Sequence, residues 1–427
     1  MSTIPKAPAQ GGVYYGWVVA AVTFLTMLVT AGAVGAPGVL IAPFEREFGW
    51  SNAEISSALA VRLVLFGLLG PFAAAFMNRF GVRRVASVAL VLIALGIAGS
   101  FAMSRVWHLL LFWGLVVGVG TGLTAMVLGA TVATRWFVAR RGLVLGLLSA
   151  STATGQLVFL PLLAALTARY GWRAALSLIL AMLLVATVAV LVLMRDRPSD
   201  LGLRPYGATG DAPPPPRQSF AAMLASPLVA LREASGSVTF WVLFGTFFVC
   251  GASTNGLVQT HFVSLCGDYG IGTVTAAGLL AVIGLFDLAG TIGSGWLSDR
   301  YDCRWLLFWY YGLRGLSLLY LPFSDFSFYG LSLVAVFYGL DWVATVPPTV
   351  KLTADRFGSN ANLVFGWIFA GHQLGAATAA YGAGFSRTVY ETYLPAFFAA
   401  GALCLFASAA LMLIRDRRPV AAAAASA

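Results

Sequence analysis

Apolar residues occupy this chain in stretches of about twenty, which short polar segments separate. A helix needs about 20 such residues to cross the hydrocarbon core of a bilayer. The pattern therefore predicts twelve membrane helices. They are expected at residues 16–43, 55–77, 85–103, 107–133, 142–167, 172–194, 238–263, 274–297, 305–323, 327–350, 363–386 and 392–414.

The longest polar stretch, residues 195–236, divides these runs six plus six. We expect an all-α membrane protein with two pseudo-symmetric six-helix bundles, at residues 1–194 and 237–427, the second ending in a short cytoplasmic tail. The linker contains the sequence DAPPPPR at residues 211–217. Consecutive prolines favour an extended, stiff conformation. This part of the linker is predicted to be a spacer that does not fold by itself.

A short basic segment follows the second apolar run of each half. Residues 77–84 read MNRFGVRR, and residues 298–305 read SDRYDCRW. Such a repeat indicates an internal duplication. Two equivalent bundles can rock about a site at their interface.

Composition supports a membrane protein and excludes other classes. Of 427 residues, 59% are hydrophobic and 10% charged, and mean hydropathy is +0.87; soluble domains carry about 25% charged residues. The net charge of +10 comes mostly from Arg spread singly or in pairs, which does not favour nucleic acid. The four Cys are scattered, and we find no nucleotide loop, metal-ligand spacing or nucleophilic set. No enzyme activity, metal or cofactor is expected.

The positions of Lys and Arg predict orientation. Most lie in segments that share a side with both termini, whereas Arg46, Arg105, Arg169, Arg173 and Arg387 lie on the other side. Cytoplasmic loops of membrane proteins carry an excess of these residues. Both termini are therefore expected in the cytoplasm.

The hinge after the second helix resembles that of the major facilitator superfamily, whose form is G-x-x-x-D-R-x-G-R-R. The second copy matches at Gly295, Asp299, Arg300 and Arg304, with Asp302 where Gly is usual. The resemblance implies the twelve-helix fold and a contact at this hinge that latches the cytoplasmic side. A carboxylate at a helix end can hold Arg and cap a neighbouring helix.

The first copy departs from the form, with Ala74 for the leading Gly and Asn78 before Arg79. An amide keeps a hydrogen bond but carries no charge, so we expect a weaker latch in the first half. A positively charged loop that sets topology explains the same residues.

A narrower resemblance is to the bacterial monocarboxylate and oxalate/formate transporters. It is carried by residues 136–146 (WFVARRGLVLG), by Gly155 and Pro161, and by the segments 171–173 (GWR) and 15–17 (YGW). It implies alternating-access transport of a small organic anion by a monomer in a bacterial inner membrane.

Three departures separate the chain from that group. Gly38 follows Pro37 where a Lys is often found, and Thr291 stands four residues after Asp287 where the group often has Arg. His372 occupies the place of a Lys in oxalate carriers. The usual anion-binding cations are absent from these places, so a lactate or oxalate specificity does not carry over.

Ionisable residues inside helices are the strongest candidates for function, because each costs about 2.5–3.5 kcal/mol at the bilayer centre on insertion scales. They are Arg62, Asp287, Arg314, Asp341 and His372. We expect Asp287 and Asp341 to couple transport to protons, with help from His372. Desolvation and a neighbouring cation change the pKa of a carboxylate and can bring it into the range where the group gains and loses a proton. Arg314 is assigned to a structural ion pair with one of the two Asp. A fixed ion-pair cluster that only holds the last helices together is the alternative.

Arg62 is the one charge within the helices of the first half, and we expect it to bind an anionic substrate. Snorkelling of its guanidinium to the membrane surface is the alternative. His372 is also a candidate for substrate binding.

Uncharged candidates for substrate binding are Gln156, Asn255, Gln259 and Tyr338. Asn255 and Gln259 lie four residues apart, on one face of the seventh helix. The small residues around Asn255 predict a broken helix whose backbone could serve a ligand. Packing between helices is the alternative for each of these side chains.

These features predict a secondary active transporter of a small organic anion with protons. Proton-linked efflux of a metabolite or drug is the first alternative. A sensor built on a transporter fold is less favoured, since neither the linker nor the Ala-rich end of the chain offers a signalling domain.

Overall fold

Twelve long helices build the protein, in the predicted order. The computed structural model describes residues 14–124, 126–208 and 219–414. The helices are α1 (Tyr15–Phe48), α2 (Asn52–Phe80), α3 (Val82–Ser100), α4 (Val106–Trp136, described on both sides of residue 125), α5 (Arg141–Tyr170), α6 (Trp172–Leu193), α7 (Val238–Asp268), α8 (Thr273–Ser298), α9 (Cys303–Tyr320), α10 (Tyr329–Phe357), α11 (Ala361–Tyr390) and α12 (Leu394–Leu413). Within the described residues, nine are long and apolar enough to cross a membrane, and α5, α9 and α11 complete the twelve.

The two halves pack against each other through three pairs of helices. α2 lies along α11, α5 lies against α8, and the second part of α1 contacts the second part of α7. We call the end of the bundle that holds both ends of the described chain the terminal face, and the other end the opposite face. The α1–α7 contact lies toward the opposite face.

The linker is more ordered than the proline run suggested. Residues Phe220–Ser235 form a helix, here called the linker helix, whose first turn is capped by Ser219. This helix contacts both α2 and α11, and its Pro227 carbonyl accepts a hydrogen bond from Trp367 Nε1 at 2.7 Å. The proline run itself lies outside the described residues. In the segment after the prolines, the recurring Ala, Leu and Val residues are typical of a helix.

Three membrane helices depart from regular α geometry among the described residues. α4 has a π-helical segment, Leu110–Val117, near its start, and α7 and α10 depart near mid-length. α7 was expected to break around Asn255, but it continues through a π-helical segment, Ala252–Val258. α10 unwinds after Asp341 and resumes at Val346, with Pro347 and Pro348 in its new first turn. Proline cannot donate a backbone hydrogen bond, so the carbonyls before it need other partners. The segments of α7 and α10 face each other in the second half.

α7 and α11 approach so closely that glycine is required between them. A Cβ atom on Gly251 would overlap the carbonyl oxygen of His372, and one on Gly375 would overlap that of Phe248. Small residues allow such approach between membrane helices.

We predict that Gly251→Ala lowers the melting temperature of the detergent-solubilised protein. Overpacking costs about 1–3 kcal/mol, or roughly 1–3 °C in a protein of this size. Gly245→Ala, on the same helix, is the control, because a Cβ there meets open space. It should leave the temperature unchanged or raise it slightly, since Ala favours helix. An equal fall in both variants would contradict the close contact.

Candidate functional site

A small cavity lies between the two halves. Its volume is about 10 Å³, roughly the room of one water molecule. α5 of the first half and α7, α8 and α10 of the second half supply its walls, which are Leu160, Gln259, Leu280, Ile283, Gly284, Asp287 and Trp342. The walls are mostly apolar, with one amide and one carboxylate.

Asp287 is held in this wall by the unwound part of α10. Its Oδ1 accepts a hydrogen bond from the backbone N–H of Val343 at 2.8 Å and one from Thr291 Oγ1 at 3.0 Å. Thr291, which stands where the resembling transporters often have Arg, therefore orients the carboxylate without neutralising it. The carboxylate is buried and faces the cavity.

Gln259 brings an unused hydrogen-bond donor to the same cavity. Its Nε2 is buried and has no partner among the described residues. A buried polar group without a partner costs about 1–3 kcal/mol. An acceptor on a ligand, or a water molecule, would remove that cost.

Arg62 is not one of the residues that line the cavity, but it bonds to α1 next to a residue that approaches the wall. Its side chain is 4% exposed, and its Nη1 donates to the carbonyl of Val34 at 3.0 Å. A Cβ on the next residue, Gly35, would lie 3.5 Å from Leu160 and 4.0 Å from Gln259 Nε2, both cavity residues. The ion pairs within the described residues do not include Arg62. A guanidinium has five N–H groups, so this buried cation keeps donors for an anion.

Arg314, by contrast, has protein acceptors for its whole guanidinium. Nε donates to Asp341 Oδ2 at 2.7 Å, and Nη2 donates to the backbone carbonyls of Asp341 and Trp342. Nη1 donates to Cys250 Sγ at 3.0 Å and faces Ser253 Oγ at 3.5 Å. Arg314 is 1% exposed and Asp341 4% exposed. The pair ties the unwound part of α10 to α7 and α9.

Around the Arg314–Asp341 pair, some buried polar atoms have a hydrogen-bond partner and others do not. Asp341 Oδ1 is buried and has no partner among the described residues. Tyr338 donates its hydroxyl to the Ser253 carbonyl at 2.6 Å, which serves a backbone group of the π-helical segment. The Tyr338 ring packs edge-on against Trp342. Tyr338 thus lies behind the wall that Trp342 presents to the cavity.

His372 also lies outside the set of cavity residues. Its ring packs against Phe247 and Phe369 between α7 and α11, with centroids 5.2 and 5.7 Å away. Its Nδ1 is buried and has no partner in the described part of the chain. Asn255 is half-buried in the π-helical segment, and the side chain of Gln156 lies outside the description.

Gly38, where the resembling transporters often have Lys, is a contact point between the halves. A Cβ on Gly38 would lie 2.6 Å from the carbonyl oxygen of Gln259. A lysine could not fit in this arrangement.

The first hinge is completed by residues that the sequence did not single out. Asn78 Oδ1 accepts from Arg135 Nη2 at 2.6 Å, and Arg135 also donates to the Met77 carbonyl at 3.2 Å. The carboxylate comes from Asp196 at the start of the linker, which accepts from the backbone N–H of Arg83 at 2.8 Å near the start of α3. All of these contacts lie within the first half and the linker. Arg79 is exposed.

In the second hinge, the cap at the start of α9 comes from Asp302. It accepts from the Arg304 N–H at 2.9 Å and pairs with the Arg304 guanidinium. The expected carboxylate, Asp299, lies exposed at the end of α8.

The remaining hinge residues lie at the same end of α8. Arg300 stacks on the Trp296 ring, 4.1 Å from its centroid. Gly295 has open space beside it, so it is not a point of close helix packing here.

Comparison with known proteins agrees with this architecture. Residues 23–380 match the family model of the Major Facilitator Superfamily. The chain is 28% identical to monocarboxylate transporter 13 of Rattus norvegicus, over 95% of this chain and 90% of that one. It is 31% identical to monocarboxylate transporter 11 of Mus musculus, over 70% of this chain and 62% of the relative, so that match spans less than two thirds of the relative's length.

Among solved structures, a bacterial homolog of the human lysosomal transporter Spinster, in an inward-facing and unoccupied conformation, superposes with a TM-score of 0.71. The match covers 94% of this chain and 97% of that one at 15% identity, which shows a common fold. The prediction of a twelve-helix major facilitator fold is confirmed. The chain is a multi-pass membrane transporter that belongs to the Major Facilitator Superfamily.

Proposed function

We propose that the protein is a secondary active transporter that moves a small organic anion of the monocarboxylate type together with protons, by alternating access. One observation carries the proposal: a buried amide with an unused donor and a buried carboxylate line one cavity between the halves, and the buried cation Arg62 bonds to α1 one residue before Gly35, which approaches the same wall. The names of the related monocarboxylate transporters support the same class of cargo.

The anion would bind between Arg62 and Gln259. Guanidinium groups bind carboxylates through two parallel hydrogen bonds, and the unpartnered Nε2 of Gln259 can donate a third. Leu160, Leu280 and Trp342 would face a short carbon skeleton. Because the cavity holds only about 10 Å³, the halves must move apart on one face before an anion can enter.

Asp287 is the first candidate for the coupling proton. Its Oδ1 is fixed by two donors, and the carboxylate borders the cavity. Burying an anion next to an ionised carboxylate is unfavourable. Protonation of Asp287 would remove this repulsion, so the two would load together. Asp341 and His372 each hold an unpartnered buried atom and could extend the proton path.

We further propose that the protein is a monomer in a bacterial inner membrane with its terminal face in the cytoplasm. Most Lys and Arg residues of the loops lie on this side. The opposite face would then contact the periplasm. The α1–α7 contact, near the Gln259 wall of the cavity, would lie on that side.

Arg62→Gln should abolish stabilisation by the anion. In a thermal-shift screen of mono- and dicarboxylates at two pH values, a ligand at about 100 times its Kd adds about 2.7 kcal/mol of stability, or roughly 3 °C. The variant should show no shift with the ligand that stabilises the parent. Arg46→Gln, an exposed cation of α1, is the control and should keep the shift. An undiminished shift in Arg62→Gln would favour a structural or snorkelling role.

Asp287→Asn should fold and yet lose proton-driven uptake. An Asn carbonyl oxygen can accept the bonds from Val343 and Thr291, so the melting temperature should stay close to that of the parent. In proteoliposomes, uptake driven by a pH gradient should disappear while exchange of labelled for unlabelled anion continues. Full retention of pH-driven uptake would reject Asp287 as the coupling group.

Asp341→Asn tests whether Asp341 mainly stabilises the structure or carries the coupling proton. It leaves Arg314 buried without its carboxylate, which costs about 3–5 kcal/mol in buried pairs. We expect a much lower melting temperature in this variant than in Asp287→Asn. Equal stability of the two would contradict the structural assignment of the Arg314–Asp341 pair.

Asn78→Asp should strengthen the first hinge by pairing a charge with Arg135. If this contact holds the terminal face shut, a cysteine introduced at Phe72, which packs against Trp367 between the halves, should react more slowly with maleimide. Asn78→Ala should have the reverse effect. Labelling that is equal in all three proteins would mean that the hinge does not act as a latch.

A further inference from the structure

Polar contacts join the two halves at the opposite face. Asn52, the first residue of α2, is buried, and its amide points to both halves. Nδ2 donates to Glu45 Oε1 of α1 at 3.1 Å and to the hydroxyl of Tyr393, which precedes α12, at 2.7 Å. One amide thus bridges the rims of the two bundles.

A second contact lies beside it. The backbone N–H of Ala53 donates to Thr388 Oγ1 at the end of α11, at 3.1 Å. The first N–H groups of a helix have no partner within the helix. The Ser51 hydroxyl accepts from the N–H of Glu54, and the Thr388 hydroxyl, which belongs to the other half, accepts from the N–H of Ala53. The start of α2 is therefore completed only when the halves meet.

Tyr393 is held rigidly for this role. It is buried, and its ring lies against His261 with centroids 5.2 Å apart. His261 is itself fixed by a 2.8 Å hydrogen bond between its Nε2 and the carbonyl of Ala380 in α11. These contacts with α7 and α11 fix the position at which the Tyr393 hydroxyl meets the amide of Asn52.

We propose that Asn52 and Tyr393, together with Ala53 and Thr388, form a latch between the halves that holds the opposite face closed. Opening of this face breaks both contacts, and closing re-forms them. The latch rests on the proposed alternating access but not on which substrate the cavity takes. It lies at the other end of the molecule from the two basic hinges.

Variants of the latch should make the interface beneath it accessible. Tyr393→Phe removes one hydroxyl and leaves the ring in place. Asn52→Asp removes the amide donor and sets a carboxylate beside Glu45. The reporter is a cysteine at Ala377, which is buried between α2 and α11 with Leu63. Maleimide labelling is measured on detergent-solubilised full-length protein without substrate, relative to the same protein lacking the reporter.

We expect the labelling rate to rise about 2- to 10-fold in Tyr393→Phe, the effect of losing one neutral hydrogen bond, and further in Asn52→Asp. The matched control is Arg173→Gln, which breaks the 2.7 Å Arg173–Glu47 ion pair on the same face but within the first half. Its labelling rate should equal that of the parent.

Unchanged labelling in both latch variants would overturn the proposal, and so would an equal rise in the control, which would mean general loosening of the rim. If either variant melts far below the parent, Thr388→Val provides an independent test through the second contact. Because no anion is present, these results stand apart from any failure of the proposed transport activity.

Discussion

The hydrogen bonds between Arg314 and the unwound part of α10 are the interaction on which the second half depends. Prolines 347 and 348 cannot donate to the carbonyls of Val343 and Ala344, and α10 is unwound just before them. The carbonyls of Asp341 and Trp342, beside this unwound turn, accept from Arg314. The same interruption leaves the N–H of Val343 for Asp287. It also brings Trp342 to the cavity wall. A broken helix in a membrane is tolerated only where other groups satisfy its backbone.

This arrangement gives the two intramembrane arginines different roles. Arg314 is saturated by protein acceptors, which supports the proposed structural role, whereas Arg62 has one protein acceptor among the described residues, the carbonyl of Val34. The pseudo-symmetric fold therefore carries asymmetric chemistry, with a cation in the first half and a carboxylate in the second. An anion and a proton loaded between them would neutralise both charges at the interface where the halves move.

The helices and the candidate charges could be predicted from the sequence, because length and hydropathy decide which segments cross a bilayer. Whether Arg314 would pair with Asp287 or Asp341 could not, since the choice depends on the unwound turn of α10. Asp196, which supplies the carboxylate missing at Asn78, gave no signal because it lies far along the chain in the linker. Tyr338, a candidate for substrate binding, does not line the cavity, because its hydroxyl donates to a carbonyl in the π-helical segment of α7, a contact that the sequence does not reveal.

The central claim is that an anion at Arg62 and a proton at Asp287 bind together. The most direct test is the proton uptake of purified protein in weakly buffered solution when a stabilising monocarboxylate is added. The account predicts that a proton is taken up with each anion bound, and that this uptake is lost in Asp287→Asn. Anion binding with no change in bound protons would contradict it.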